Sequence, residues 1–206
     1  MEILKKTLIV SFIVMMHMGV RAQSASVLQK AFQNSYNNET KKNYAAAISD
    51  ITPYYSENNY EVNIRLGWLN YLNKNYTASQ NYYQRAVTLK PNSIEARFGY
   101  VKPLSLLTNW NNVLDQYNAI LKIDPQNTQA NYWAGVIYYN RKQYPNAIKL
   151  FSKVVALYPF DYDGNHMLGW ANLMTGKKEE ARALFEKALL INPGDTSSLD
   201  GLSKSR

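Results

Sequence analysis

Apolar and small side chains recur in the second half of the chain at intervals of four, three and five residues, each set ending in a proline. The sets are Ser79, Tyr83, Ala86 and Pro91; Val113, Tyr117, Ile120 and Pro125; Ala147, Phe151, Val154 and Pro159; and Ala181, Phe185, Ala188 and Pro193. Residues three and four apart share one face of an α-helix, so each set predicts a helix with a single apolar stripe. The proline closes it, since it has no backbone N–H to continue the helix. Successive prolines are 34 residues apart. Ahead of each stripe lies another helical segment, in which Leu66-Gly67, Ala134-Gly135 and Leu168-Gly169 hold equivalent places and the missing side chain lets a neighbouring helix approach. Lys74-Asn75, Asn109, Asn140 to Gln143 and Thr175-Gly176-Lys177 break the periodicity and read as turns between paired helices.

The pattern predicts an all-α chain of helical hairpins that bury their apolar faces against one another. Four 34-residue units follow without a gap over 60–93, 94–127, 128–161 and 162–195. A degenerate copy precedes them over 23–59, with Val27, Leu28, Ala31 and Phe32 at helical spacing and Tyr44, Ala47 and Ile51 as its second stripe. Pro53 falls where that second helix would still be running, so it should end early or kink. Pro103, inside the first helix of its unit, should bend or shorten that helix, whereas Pro145 stands at a helix start, where its missing N–H is harmless. Residues 196–206 form a short tail or a partial capping helix, short for the task of covering the last repeat, which is expected to fray or to be covered by a partner.

These residues resemble the tetratricopeptide repeat, whose pattern is W-x2-L-G-x2-Y, then A-x3-F, then P. The copy with Ala134-Gly135, Tyr138, Tyr144, Ala147, Phe151 and Pro159 matches best, followed by the copy with Leu168-Gly169, Gly176, Ala181, Phe185, Ala188 and Pro193. The resemblance implies an α-solenoid of about five hairpins forming a right-handed superhelix. Its concave surface is lined by the first helix of each repeat, with ligand contacts at the second, fifth, ninth, twelfth and thirteenth positions. Carried over, these are Glu61, Ile64, Trp68, Tyr71 and Leu72; Glu95, Phe98, Lys102, Ser105 and Leu106; Gln129, Tyr132, Val136, Tyr139 and Asn140; and Asp163, His166, Trp170, Leu173 and Met174. Ile64, Trp68, Tyr71, Phe98, Lys102, Tyr132, Tyr139, His166 and Trp170 are the candidate groove residues among them. Aromatic rings with polar tips suit a peptide groove, and packing between adjacent repeats is the alternative role for the same rings. A basic clamp for a C-terminal carboxylate, known in one subtype of these repeats, is not matched: of the fifth and ninth positions only Lys102 carries suitable charge.

Composition narrows the chemistry. The chain has 206 residues, 46% of them hydrophobic, and no cysteine, which removes disulfides, thiol catalysis and thiolate metal sites. Residues 1–22 read as a signal peptide, with Lys5 and Lys6 before an apolar run from Leu8 to Val20 and a cut before Gln23. The expected address is periplasmic or secreted, without stable membrane insertion after cleavage. A formal charge of +8 is spread along the repeats rather than gathered into a nucleic-acid-binding run. His166 is the one histidine left after such processing and has no second ligand residue for a metal, so no cofactor or metal is expected. No nucleophile with a base, phosphate loop or carboxylate pair points to catalysis. The expected function is a non-enzymatic adaptor holding a protein or peptide segment in an aromatic groove. The alternatives are a permanent subunit of a larger cell-envelope assembly and, more weakly, a cell-wall glycan binder.

Overall fold

The computed structural model describes residues 26–206, and the signal-like segment up to Gln23 lies outside them. The described residues are helical hairpins. α1 covers 26–40. It is followed by α2 (Tyr44–Ile51), α3 (Tyr60–Leu72), α4 (Tyr76–Leu89), α5 (Ile94–Leu106), α6 (Trp110–Ile123), α7 (Thr128–Asn140), α8 (Tyr144–Leu157), α9 (Tyr162–Met174), α10 (Lys178–Ile191) and α11 (Thr196–Lys204). They fall into two compact units, one ending at Pro91 and the other running from Asn92 to Arg206.

The start of each hairpin is set by a side chain. Asn59, Ser93, Asn127, Asp161 and Asp195 cap α3, α5, α7, α9 and α11 by accepting from the backbone N–H three residues on, at 2.6 to 3.1 Å. Such a cap is worth about 1 kcal/mol and satisfies a donor the helix cannot. The last four caps stand two residues after Pro91, Pro125, Pro159 and Pro193, so stop and start signals are adjacent. A buried asparagine ties that corner down. Asn131 Nδ2 donates to the carbonyls of Pro125 and Asn127 at 3.1 and 2.9 Å. Asn165 bonds those of Pro159 and Asp161 at 3.1 and 2.6 Å, and Asn63 those of Ser56 and Asn59 at 3.1 and 2.7 Å. The second helices α4, α6, α8 and α10 have no side-chain cap; each follows a left-handed residue, Lys74, Thr108, Lys142 or Gly176.

Within a hairpin the two helices meet through the glycine and the ring of the apolar stripe. A Cβ on Gly67 would lie 2.9 Å from the Tyr83 ring, one on Gly135 2.6 Å from Phe151, and one on Gly169 2.9 Å from Phe185. In the first unit Ala31, Ala47, Ile51, Val62, Leu66 and Leu69 form the core. In the second, one cluster is built on Ala147, Phe151, Leu168 and Ala171.

The prolines behave in three ways. α2 stops at Ile51 and gives way to a 3-10 turn over Thr52–Tyr54, the early end that Pro53 demanded. Pro145 stands in the first turn of α8. The shortening of α5 by Pro103 is not observed, because α5 keeps the thirteen residues of α3, α7 and α9. Fraying of the last repeat is not observed either: α11 begins 34 residues after α9, in the place of a first helix, and packs on Phe185 through Gly201.

Candidate functional site

In the first unit, Ile64, Trp68 and Tyr71 are half-buried on α3. The Trp68 indole donates to Glu39 Oε1 at 2.7 Å and stacks on Tyr71 with centroids 5.7 Å apart. Arg65, only 4% exposed, ion-pairs with Glu39, donates twice to Ser35 Oγ and lies 3.9 Å over the Tyr36 ring. α1 and α3 are thus joined by a polar network of which Trp68 is one member.

In the second unit, Phe98 meets Tyr117 edge-on at 6.3 Å and Lys102 is exposed on α5. Tyr132 packs against Trp133 and Phe151 at 5.1 and 5.9 Å. Burial, with help from Asp163 and Asp161, pushes the pKa of its hydroxyl up to about 12. Tyr139 meets Tyr144 at 5.4 Å, and burial again raises its pKa. His166 and Trp170 lie under α11. His166 Nδ1 is 2.8 Å from Ser198 Oγ and 3.4 Å from Asp195 Oδ2, while Trp170 Nε1 donates to Ser197 Oγ at 3.1 Å. Burial pulls the His166 pKa below 6.5, against the opposing pull of Asp195 and Asp163.

None of these nine residues lines a cavity of about 480 Å³ in the second unit. It is walled by Trp110, Val113 and Tyr117 of α6, by Trp133, Val136, Ile137 and Asn140 of α7, and by Ser105 and Arg141. Val101 stands where the other hairpins carry Gly67, Gly135 or Gly169, and α5 and α6 make the least extensive contact of the four hairpins. Two indoles remain open at its edge, Trp110 at 49% and Trp133 at 46% exposure. Arg141 Nη2 donates to Asn111 Oδ1 at 2.8 Å.

A second recess of about 320 Å³ lies at the other end of α7, between Thr128, Gln129, Tyr132, Val154, Tyr158, Asp161 and Asp163. Gln129, Tyr132, Val136 and Asn140 recur at three- and four-residue spacing, so one face of α7 runs from this recess to the cavity. Among the described residues no group of His, Asp or Glu is placed to hold a metal ion, and no helix is long and apolar enough to cross a membrane.

Family models for the tetratricopeptide repeat match residues 60–93, 110–162 and 162–195. The chain belongs to the tetratricopeptide repeat family. Solved structures agree on the fold. A tetratricopeptide repeat protein from Parabacteroides merdae is 17% identical, with a TM-score of 0.75 over 87% of this chain and 72% of its own. MamA is 19% identical, with a TM-score of 0.69 over 80% of this chain and 91% of its own. MamA from Desulfovibrio magneticus is 17% identical, with a TM-score of 0.70 over 82% and 97%. At such identities the likeness speaks for the tetratricopeptide fold alone. No curated protein matches the chain. Within the tetratricopeptide pattern, Trp110 stands at the second-helix start held by Tyr76 and Tyr144, and Trp133 is the sixth residue of its first helix, beside rather than on the groove positions. A tryptophan at a position the packing stripe does not use was the available signal for both.

Proposed function

We propose that this tetratricopeptide repeat protein is a non-enzymatic adaptor that captures a peptide segment of another protein along α7, with an apolar side chain anchored in the cavity between α6 and α7. The observation that carries this reading is the pair of half-exposed tryptophans, Trp110 and Trp133, on the rim of an apolar cavity of about 480 Å³. Indole rings supply large contact area at small conformational cost and are the side chains that dominate binding energy at interfaces. A cavity of this size takes a bulky side chain and its neighbours. Export, through the segment ending before Gln23, belongs to the same proposal and is tested by the N-terminal sequence of the protein recovered from its native cell.

The binding test uses a phage-displayed random peptide library selected on the full chain. Peptides so obtained should lose roughly tenfold or more in affinity on Trp133→Ala, while thermal unfolding stays cooperative and falls by no more than a few degrees because that ring is half in solvent. Selected peptides that bind Trp133→Ala and Trp110→Ala as tightly as the parent would overturn it.

A further inference from the structure

The two recesses on α7 differ in chemistry, one being acidic and the other apolar. At the N-terminal end the walls supply two carboxylates, Asp161 and Asp163, and two tyrosine rings, Tyr132 and Tyr158. Asp161 holds the Gly164 N–H through Oδ1, and Asp163 is exposed and forms no ion pair among the described residues. Carboxylates beside aromatic rings make a receptor for a side-chain cation, which gains from the charge and from the ring face together. At the C-terminal end the cavity is apolar, and the charged residue on its wall is Arg141, whose guanidinium donates to Asn111. A cation is therefore disfavoured there and a carboxylate is disfavoured at the other end, which gives a bound segment one polarity.

Accepting that α7 is a peptide surface, on which this step rests, we infer that the partner segment carries an arginine or lysine three or four residues from a bulky apolar side chain. The basic group sits over Asp161 and Asp163, and the apolar side chain fills the cavity beside Trp110 and Trp133. The spacing follows from the helix. Tyr132 and Asn140 are separated by roughly 12 Å at ~1.5 Å per residue, which an extended peptide spans in three to four residues at ~3.3 Å each. The local charge runs against the +8 of the whole chain, so the preference for a basic partner is a property of this face and not of the overall field.

The same selection on the full chain tests it, followed by synthetic peptides of the enriched sequence. The expected result is enrichment of Arg or Lys three or four positions from Trp, Phe or Leu. Changing the peptide's basic residue to Glu, or Asp163→Asn in the protein, should weaken binding roughly tenfold, and Asp163→Lys should restore affinity for the Glu peptide. Asp163 is exposed in the first turn of α9, so each variant should lose no more than about 1 kcal/mol in thermal unfolding, Asp163→Lys the more, and that measurement serves as the folding control. Peptides that need Trp133 but show no charge preference, or that carry an acidic residue at that spacing, would overturn the inference and leave peptide capture standing. Failure to select any peptide sensitive to Trp133→Ala would remove the adaptor reading, and this inference with it.

Discussion

Replacing Gly201 by alanine should loosen α11 although the change favours helix. A Cβ at this position would stand 2.3 Å from Phe185 Cζ and 2.6 Å from Cε1 and Cε2, where ordinary contact begins near 3.4 Å. Phe185 is fully buried, and on its other side a Cβ on Gly169 would already meet it at 2.9 Å, so the ring has nowhere to retreat. α11 must therefore move outward by about an ångström, and overpacking of this kind costs ~1–3 kcal/mol. Alanine returns ~0.5–1 kcal/mol of backbone entropy in a helix interior, leaving a net loss of about 1–2 kcal/mol. That raises the open fraction of α11 roughly 5–30-fold. The assay is amide hydrogen exchange over Thr196–Lys204, with Gly194→Ala as control, since nothing lies within 4 Å of a Cβ at Gly194. Exchange should speed up in α11 for Gly201→Ala and stay unchanged in α7 and α8. Slower exchange, or a melting temperature raised as for an ordinary glycine-to-alanine change in a helix, would show that Phe185 does not wedge against α11.

Three further outcomes follow from the described contacts. Asn131→Ala should cost about 1–3 kcal/mol in thermal unfolding, because the carbonyls of Pro125 and Asn127 both lose their side-chain donor, and Asn131→Asp should cost more by setting a carboxylate against them. Glu39→Ala should destabilise the first unit by ~3–5 kcal/mol in a denaturant titration, since it strands the buried Arg65 guanidinium; pairing Glu39→Leu with Arg65→Met should recover much of that loss. Because burial lowers the His166 pKa, the unfolded chain takes up a proton near 6.5 while the folded one resists. Stability should fall as pH drops through that value and level off once His166 also protonates in the fold. Melting curves of the parent and of His166→Gln across this window should differ in slope, the variant being the flatter.

The hairpins were legible because their signals are local and repeated. The stripe of Ala147, Phe151 and Val154 and the glycine it meets at Gly135 lie within one repeat, so spacing alone places them. Pro53 was legible for the same reason. Pro103 was not, since it lies near the C-terminal end of α5, where the proline alone does not decide whether the last turn is kept. The buried asparagines escaped notice because an asparagine before an apolar run reads as an ordinary polar residue until its two carbonyl partners are seen. Among the candidate groove residues, Trp68 and Trp170 are engaged by neighbouring helices, through Glu39 and Ser197 respectively. Position in a repeat says which face a residue occupies; it does not say whether an adjacent helix has already claimed its polar edge. The cavity was beyond reach for a further reason: its walls come from α6 and α7 of successive repeats, and spacing within one repeat does not say how closely two repeats meet.

The asparagine tie also has a bearing on how such a chain can change length. In Pro125 to Asn131 and again in Pro159 to Asn165, the helix stop, the cap of the next helix and the side chain that staples the corner all lie within seven residues, and the cap and staple bonds close inside that stretch. A cut placed just before the proline severs neither cap nor staple, and crosses only the bonds to the preceding residue, Asp124 or Tyr158. Duplicating or excising one whole 34-residue block there would carry each corner intact, so this protein has natural seams at which segments can be spliced, whether by recombination in a genome or by a designer lengthening the array.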